Sequence, residues 1–155
     1  MLDGAFFAVH VTAMTLATLE EITENLAVLD DWEDRFAYVI QLGKALPVLS
    51  DAERTEANRV QGCASQVWLS TTVGEGVDPV ITFRGESDAL IVRGLVAIAM
   101  ALNSGKKASD IMATDTIDAF DKLGLKSHLT SQRSNGLRSM VARIRRDAEK
   151  AFGGE

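Results

Sequence analysis

Cys63 is the only thiol among the 155 residues. The stretch that holds it, Arg59-Val-Gln-Gly-Cys-Ala-Ser-Gln-Val-Trp-Leu69, changes character halfway. Gly62, Ala64 and Ser65 are small and Gln66 is polar, whereas Val67-Trp68-Leu69 has the makings of a strand entering a core. The thiol therefore belongs where a loop meets a sheet. The thiolate is the nucleophile, and a cysteine of ordinary pKa, about 8.5, is only slightly ionised at neutral pH. To attack anything, Cys63 needs a cation, a helix N-terminus or groups supplied by a partner, and Arg59 and Arg133 are the candidate cations. A lone cysteine is more commonly a small buried hydrophobe. Gly62 argues for more, because it opens backbone conformations closed to other residues and its small, polar neighbours let the loop swing.

Other chemistries find less support. A cysteine hydrolase needs a base beside its thiol. Of the two histidines, His10 sits in an N-terminal stretch without clear period, which leaves His128 as the plausible partner. One cysteine and two widely separated histidines match no zinc spacing, so no metal is expected. Gly74-Glu-Gly76 and the closing Gly-Gly-Glu are not phosphate loops. Carboxylates at Glu20-Glu21 and Asp30-Asp31 fall at helix starts, where capping explains them.

Composition sets the frame. The chain is 46% apolar and 25% charged, with a net charge of -6, as in an ordinary globular protein of one domain. The acidic balance disfavours nucleic acid. A single cysteine excludes an internal disulfide and suggests a reducing, cytoplasmic setting. The first residues lack a basic region before their apolar stretch and contain Asp3. The apolar run from Ala89 to Leu102 is shorter than the roughly 20 residues a bilayer requires and carries Arg93. No membrane association is expected.

The elements that must position Cys63 follow from periodicity. Residues 1–17 are expected as a tail and 18–155 as one domain. Thr18 with Glu21 has capping-box spacing before Leu19, Ile22, Leu26 and Leu29. Asp30 with Glu33 signals a second helix, which Pro47 stops. Residues 66–73 alternate as a strand, 80–84 form another, and Arg59–Gln61 is expected to be a short third. Ser87-Asp88 is expected to cap a helix apolar on most sides, hence central and buried. A short helix is expected from Ser109-Asp110 and another around Phe120, closed by Gly124. Thr130 is expected to cap a last helix with the stripe Leu137, Met140, Val141, Ile144, Ala148 and Phe152. Gly136 inside that helix costs about 1 kcal/mol relative to alanine, which suggests a close approach there, against the cysteine loop. The fold class is α+β, with helices on one face of a small antiparallel three-stranded sheet.

Residues 59–69, Gly85-Glu-Ser-Asp-Ala-Leu-Ile-Val-Arg-Gly-Leu95 and Leu129-Thr-Ser-Gln-Arg-Ser-Asn-Gly-Leu137 together resemble the SufE family, which includes CsdE. Trp32-Glu-Asp-Arg-Phe36 and Leu42-Gly-Lys-Ala-Leu-Pro47 extend the resemblance over residues 18–152. It implies a fold shared with IscU-type scaffolds. It also implies a sulfur acceptor and activator for a cysteine desulfurase of the SufS/CsdA type, not an enzyme in its own right. The chain would need no cofactor, the pyridoxal phosphate belonging to the desulfurase.

By the same resemblance Cys63 would accept persulfide sulfur, supported by Gly62, Ser65, Gln66 and Arg133, and pass it to an iron–sulfur assembly scaffold. Asp88, together with Arg59, would serve the partner interaction. Family members often read Cys-Gln-Ser-Gln where this chain reads Cys63-Ala64-Ser65-Gln66, so one amide beside the thiol is missing. Because burying a thiolate is expensive, the thiol is expected to rest neutral. A homodimer stays open, as do a hydrolase using Cys63 and His128, a cluster-binding scaffold and an interaction domain indifferent to Cys63.

Overall fold

The computed structural model describes residues 17–153. Of the expected tail only Ala17 falls within that range, and His10 lies outside it. Helix α1, Leu19–Ala27, begins with the expected capping box: Thr18 accepts from the Glu21 amide and the Glu21 carboxylate accepts from the Thr18 amide. Helix α2, Trp32–Lys44, starts one residue later than the Asp30 signal, with Asp31 as an N-cap that makes no side-chain bond.

The sheet pairs β1, Val67–Val73, antiparallel with β2, Val80–Ser87, from Val67 opposite Ser87 to Val73 opposite Ile81. Strand β2 outruns the expected 80–84 because its inward alternation continues through Gly85 and Ser87, neither of which carries a hydrophobic signal. The third strand is β3, Lys106–Lys107, on the far side of β2. The expected strand at Arg59–Gln61 reduces to one bridge between Arg59 and Trp68. Its ladder stops because Gly62, at φ +91°, turns the chain out into the cysteine loop. Two lysines on a two-residue edge suit a position where further pairing would be unwelcome.

Helix α3, Leu90–Asn103, is the central one, buried from Gly94 to Met100 and again at Leu102 and Asn103. The inward residues of the sheet, Val67, Leu69, Ile81 and Phe83, are buried on its side, while Thr82 and Arg84 face outward. At Gly85 an added Cβ would collide with Val96, so glycine sets how closely sheet and helix approach. Helices α2 and α3 cross through Gly43 and Gly94, where a Cβ at either position would run into the other helix's backbone. The Ser87-Asp88 cap is not formed. The N-cap is Ala89, Ser87 Oγ accepts from the Ala89 amide, and Asp88 faces elsewhere.

Helix α4, Ala108–Ala113, is preceded by Lys107 as N-cap; Ser109 bonds Asp78 instead of starting the helix. Helix α5, Thr116–Lys122, is capped by Asp115 and followed by Gly124 at φ +78°. After a 3-10 turn at Lys126–His128, Thr130 caps α6, Ser131–Ala151. Leu137, Met140, Ile144 and Ala148 of α6 are buried. Phe152, expected in that stripe, is the C-cap and is 46% exposed, because the chain leaves the helix there and the Gly153 amide bonds the Val77 carbonyl. Among the described residues no helix is long and apolar enough to cross a membrane.

Candidate functional site

The cysteine loop is pinched at its neck. The Val60 amide donates to the Val67 carbonyl at 2.8 Å, and the Leu69 amide to the Asn58 carbonyl at 2.8 Å. Residues 61–66 project beyond this neck and lie along α6 in step with its turns. Arg143 Nη2 donates to the Ala57 carbonyl at 2.8 Å and Nη1 to the Arg59 carbonyl at 3.5 Å. A turn earlier, Ser139 packs against Gly62 so tightly that a Cβ there would meet Ser139 Oγ at 2.5 Å. Another turn back, the Cys63 thiol donates to the Gly136 carbonyl at 3.6 Å. Positions 136, 139, 140 and 143 share one side of a helix by its 3.6-residue period, so a single helix face seats the loop from its entry to the thiol.

The exit of the loop is held from the other side. Asp88 Oδ1 accepts from the Gln66 amide at 3.1 Å, and the Asp88 amide donates to the Gln66 carbonyl at 3.3 Å. Both ends of the loop are therefore anchored, while Gly62, Ala64 and Gln66 within it are exposed.

Cys63 is half-buried at the wall of a cavity of about 210 Å³. Apolar side chains from three elements, including Val67, Ile91, Leu95, Leu137 and Met140, line much of it, with Arg133 and Ser65 among its polar residues. Burial pushes the thiol above its ordinary pKa, and the Arg59 charge pulls it back in part. Removing a thiolate from water costs more than the partly exposed arginine returns. The thiol thus rests protonated, with space beside it.

The structure brings together most of the residues singled out from the sequence. Gly62, Cys63, Ser65 and Arg133 meet at the loop or its cavity, and the Arg133 guanidinium lies 5.9 Å from the Phe36 ring centre. Gly136 does lie against the cysteine loop, but at ordinary van der Waals range: a Cβ there would sit 3.5 Å from Cys63 Sγ, so the packing does not by itself demand glycine. Asp88 and Gln66 bond each other, so Asp88 has a local task whatever else it contacts. Arg59 lies outside the cavity and lines a separate groove with Ser139 and Arg146. His128 is not brought to the thiol: it is outside the cavity lining and its ring stacks on Trp32, with centroids 3.8 Å apart. No group of three or more His, Cys, Asp or Glu side chains suited to a metal ion occurs among the described residues.

Two contributors escape a reading by spacing. Ser139 looks like any polar helix residue until Gly62 is placed against it. Glu86, which accepts from the Leu49 amide at 2.8 Å and pairs with Arg54 at 3.3 Å and Arg93 at 3.6 Å, ties the 48–54 loop to α3. Its one signal is a charged residue on a strand that otherwise alternates cleanly.

A family model described as SufE, an Fe-S metabolism associated domain, matches residues 20–148. An uncharacterised SufE-like protein of Rhizobium meliloti is 57% identical over 135 residues, covering 86% of this chain and 96% of that protein. One from Rhizobium etli is 58% identical over 135 residues, covering 86% and 91%. The solution structure of a hypothetical protein from Thermus thermophilus shares the fold, with a TM-score of 0.66, 16% identity, and coverage of 86% of this chain and 94% of that one. The family match spans α1 to near the end of α6 and includes the cysteine loop, the sheet and the helix that seats the loop; the chain belongs to the SufE family.

Proposed function

We propose that the protein is a sulfur acceptor and activator for a cysteine desulfurase, taking persulfide sulfur onto Cys63 and handing it to iron–sulfur cluster assembly. The observation that carries this reading is the seat of Cys63: a neutral thiol on a doubly anchored, glycine-containing loop beside a mostly apolar cavity. Family membership supports the connection to iron–sulfur metabolism.

In the proposed step the Cys63 thiolate attacks the outer sulfur of a persulfide on the desulfurase. A new S–S bond forms to Cys63, the S–S bond within the donor breaks, and the donor's cysteine leaves as thiolate. The proton lost by Cys63 balances the one taken up by the departing thiolate or by solvent, and no external oxidant or reductant is required. A buried thiol is a poor nucleophile, so the resting state protects both the thiol and the product, and attack requires the loop to turn outward on the partner. The pyridoxal phosphate chemistry stays on the desulfurase. The chain acts stoichiometrically and turns over only by passing its sulfur on to an assembly scaffold.

Mass spectrometry after incubation with a cysteine desulfurase and cysteine tests the proposal. The wild type gains one sulfur atom, removable by a thiol reductant, and Cys63→Ser gains none. A reducible sulfur adduct on the serine variant would falsify the assignment.

A further inference from the structure

Helix α6 carries six basic and two acidic side chains, a charge of +4 within a chain of net charge -6, so the remainder stands at -10. Both of its carboxylates are already engaged. Asp147 pairs with Arg143 at 3.4 Å, and Glu149 pairs with Arg145 at 3.4 Å. Arg138 and Arg146 have no ion-pair partner among the described residues, and both are exposed. With Ala142 between them at four-residue spacing, they form an outward stripe. Arg59 joins it from the neck of the cysteine loop, its nearest carboxylate being Glu56 at 3.9 Å. Between Arg59 and Arg146 runs a groove of about 230 Å³, with Ser139, Gln61 and Ala142 in its lining. Ser139 is the residue on which Gly62 rests, so the groove and the thiol cavity flank the same loop.

We infer that this stripe, Arg138, Arg146 and Arg59, docks an acidic surface segment of the protein that delivers sulfur. The inference rests on the reading of Cys63 as sulfur acceptor and adds the chemistry of the partner's surface. Guanidinium groups present forks that match carboxylates, and the groove has the scale of a few side chains. An extended polyanion fits poorly. It would run beyond the stripe onto a body whose described residues outside the helix carry -8, within about a Debye length, roughly 10 Å at 0.1 M salt. A short acidic segment ends before that repulsion is met. The opposed charges of helix and body also orient an approaching partner, presenting the cysteine loop first.

The test uses the full chain and a purified cysteine desulfurase that loads the wild type with sulfur. Affinity is measured by titration across a salt series for the wild type, R138E/R146E and C63S, with circular dichroism to verify folding and R146Q as a milder variant. Charge reversal is expected to weaken binding about tenfold at low salt and to flatten the salt dependence. R146Q should fall between, and a triglutamate peptide should compete. Wild-type affinity in the folded R138E/R146E variant overturns the docking surface. Duplex DNA or anionic phospholipid vesicles binding wild type as tightly as the desulfurase does overturn the choice of an acidic protein. C63S should bind undiminished without taking sulfur. If C63S were loaded, the acceptor reading would fall while the docking surface stood.

Discussion

The sulfur of Cys63 rests on the backbone of Gly136: the thiol donates to the Gly136 carbonyl at 3.6 Å, and a Cβ built on Gly136 would lie 3.5 Å from Sγ. The second distance is an ordinary van der Waals contact, so a methyl group fits there and covers the thiol. The bare glycine keeps that contact open at a cost in helix stability. Gly136→Ala should stabilise the protein by up to about 1 kcal/mol and slow alkylation of Cys63 by iodoacetamide. Faster alkylation, or a loss of stability in chemical denaturation, would contradict this geometry.

The protonation of Cys63 gives a pH signature with a definite sign. Burial raises its folded-state pKa above the unfolded value. The unfolded chain therefore releases the thiol proton first as pH rises. The neutral thiol's contribution to stability is fully present below the ordinary thiol value and is lost as pH rises through the raised folded value. As pH rises past the ordinary thiol value of about 8.5, the wild type should lose stability relative to Cys63→Ala until the folded-state thiol also ionises, by the linkage of proton binding to folding. Denaturation midpoints of the two proteins across this range check it; parallel curves would mean that burial leaves the thiol unperturbed. Alkylation should likewise accelerate at a higher pH than for a free cysteine.

Gly62 faces two constraints that mutation can separate. Its φ of +91° disfavours any side chain, and Ser139 Oγ stands 2.5 Å from where a Cβ would be. Gly62→Ala should cost about 1–2 kcal/mol from the backbone conformation alone, with the steric clash added. Ser139→Ala introduced into Gly62→Ala should recover the steric part only. A double-mutant cycle measures the coupling, and strict additivity would show that Ser139 moves aside freely.

Asp88 offers a test of local against intermolecular roles. Its side chain accepts from the Gln66 amide, a task an asparagine oxygen can also perform. Asp88→Asn should leave hydrogen exchange at the Gln66 amide near wild type. Asp88→Ala should speed that exchange and lower stability by about 1 kcal/mol, the usual net worth of such a bond. If both variants weaken desulfurase binding while only alanine loosens Gln66, the charge serves the partner and the oxygen serves the loop.

The crossing of α2 and α3 is the most demanding packing in the fold. An added methyl at Gly94 would run into the Val39 carbonyl, and backbone has no rotamer with which to yield. Gly94→Ala should therefore destabilise by about 3 kcal/mol despite its better helix propensity. A variant as stable as wild type would require the helices to separate, which tryptophan fluorescence from Trp32 on α2 would register.

The helices with strong apolar periods, the N-caps at Thr18 and Thr130, the buried central helix, and Cys63 on a glycine-flanked loop at the mouth of a strand were legible in the residues alone. Those features are local: spacing, hydrogen-bonding side chains and conformational freedom are properties of neighbouring residues. The remainder depended on long-range packing. Lys106–Lys107 became the third strand and Arg59–Gln61 did not, because Gly62 turns the chain away from β1 and Gly105 returns it to β2. Asp88 left the helix end for Gln66, and His128 went to Trp32, since each satisfied its polar or aromatic group against a residue remote in sequence. The seat of the thiol is of the same kind. Gly136, Ser139 and Arg143 lie more than seventy residues from the loop they hold, and only the folding of α6 against the neck of that loop brings them into contact.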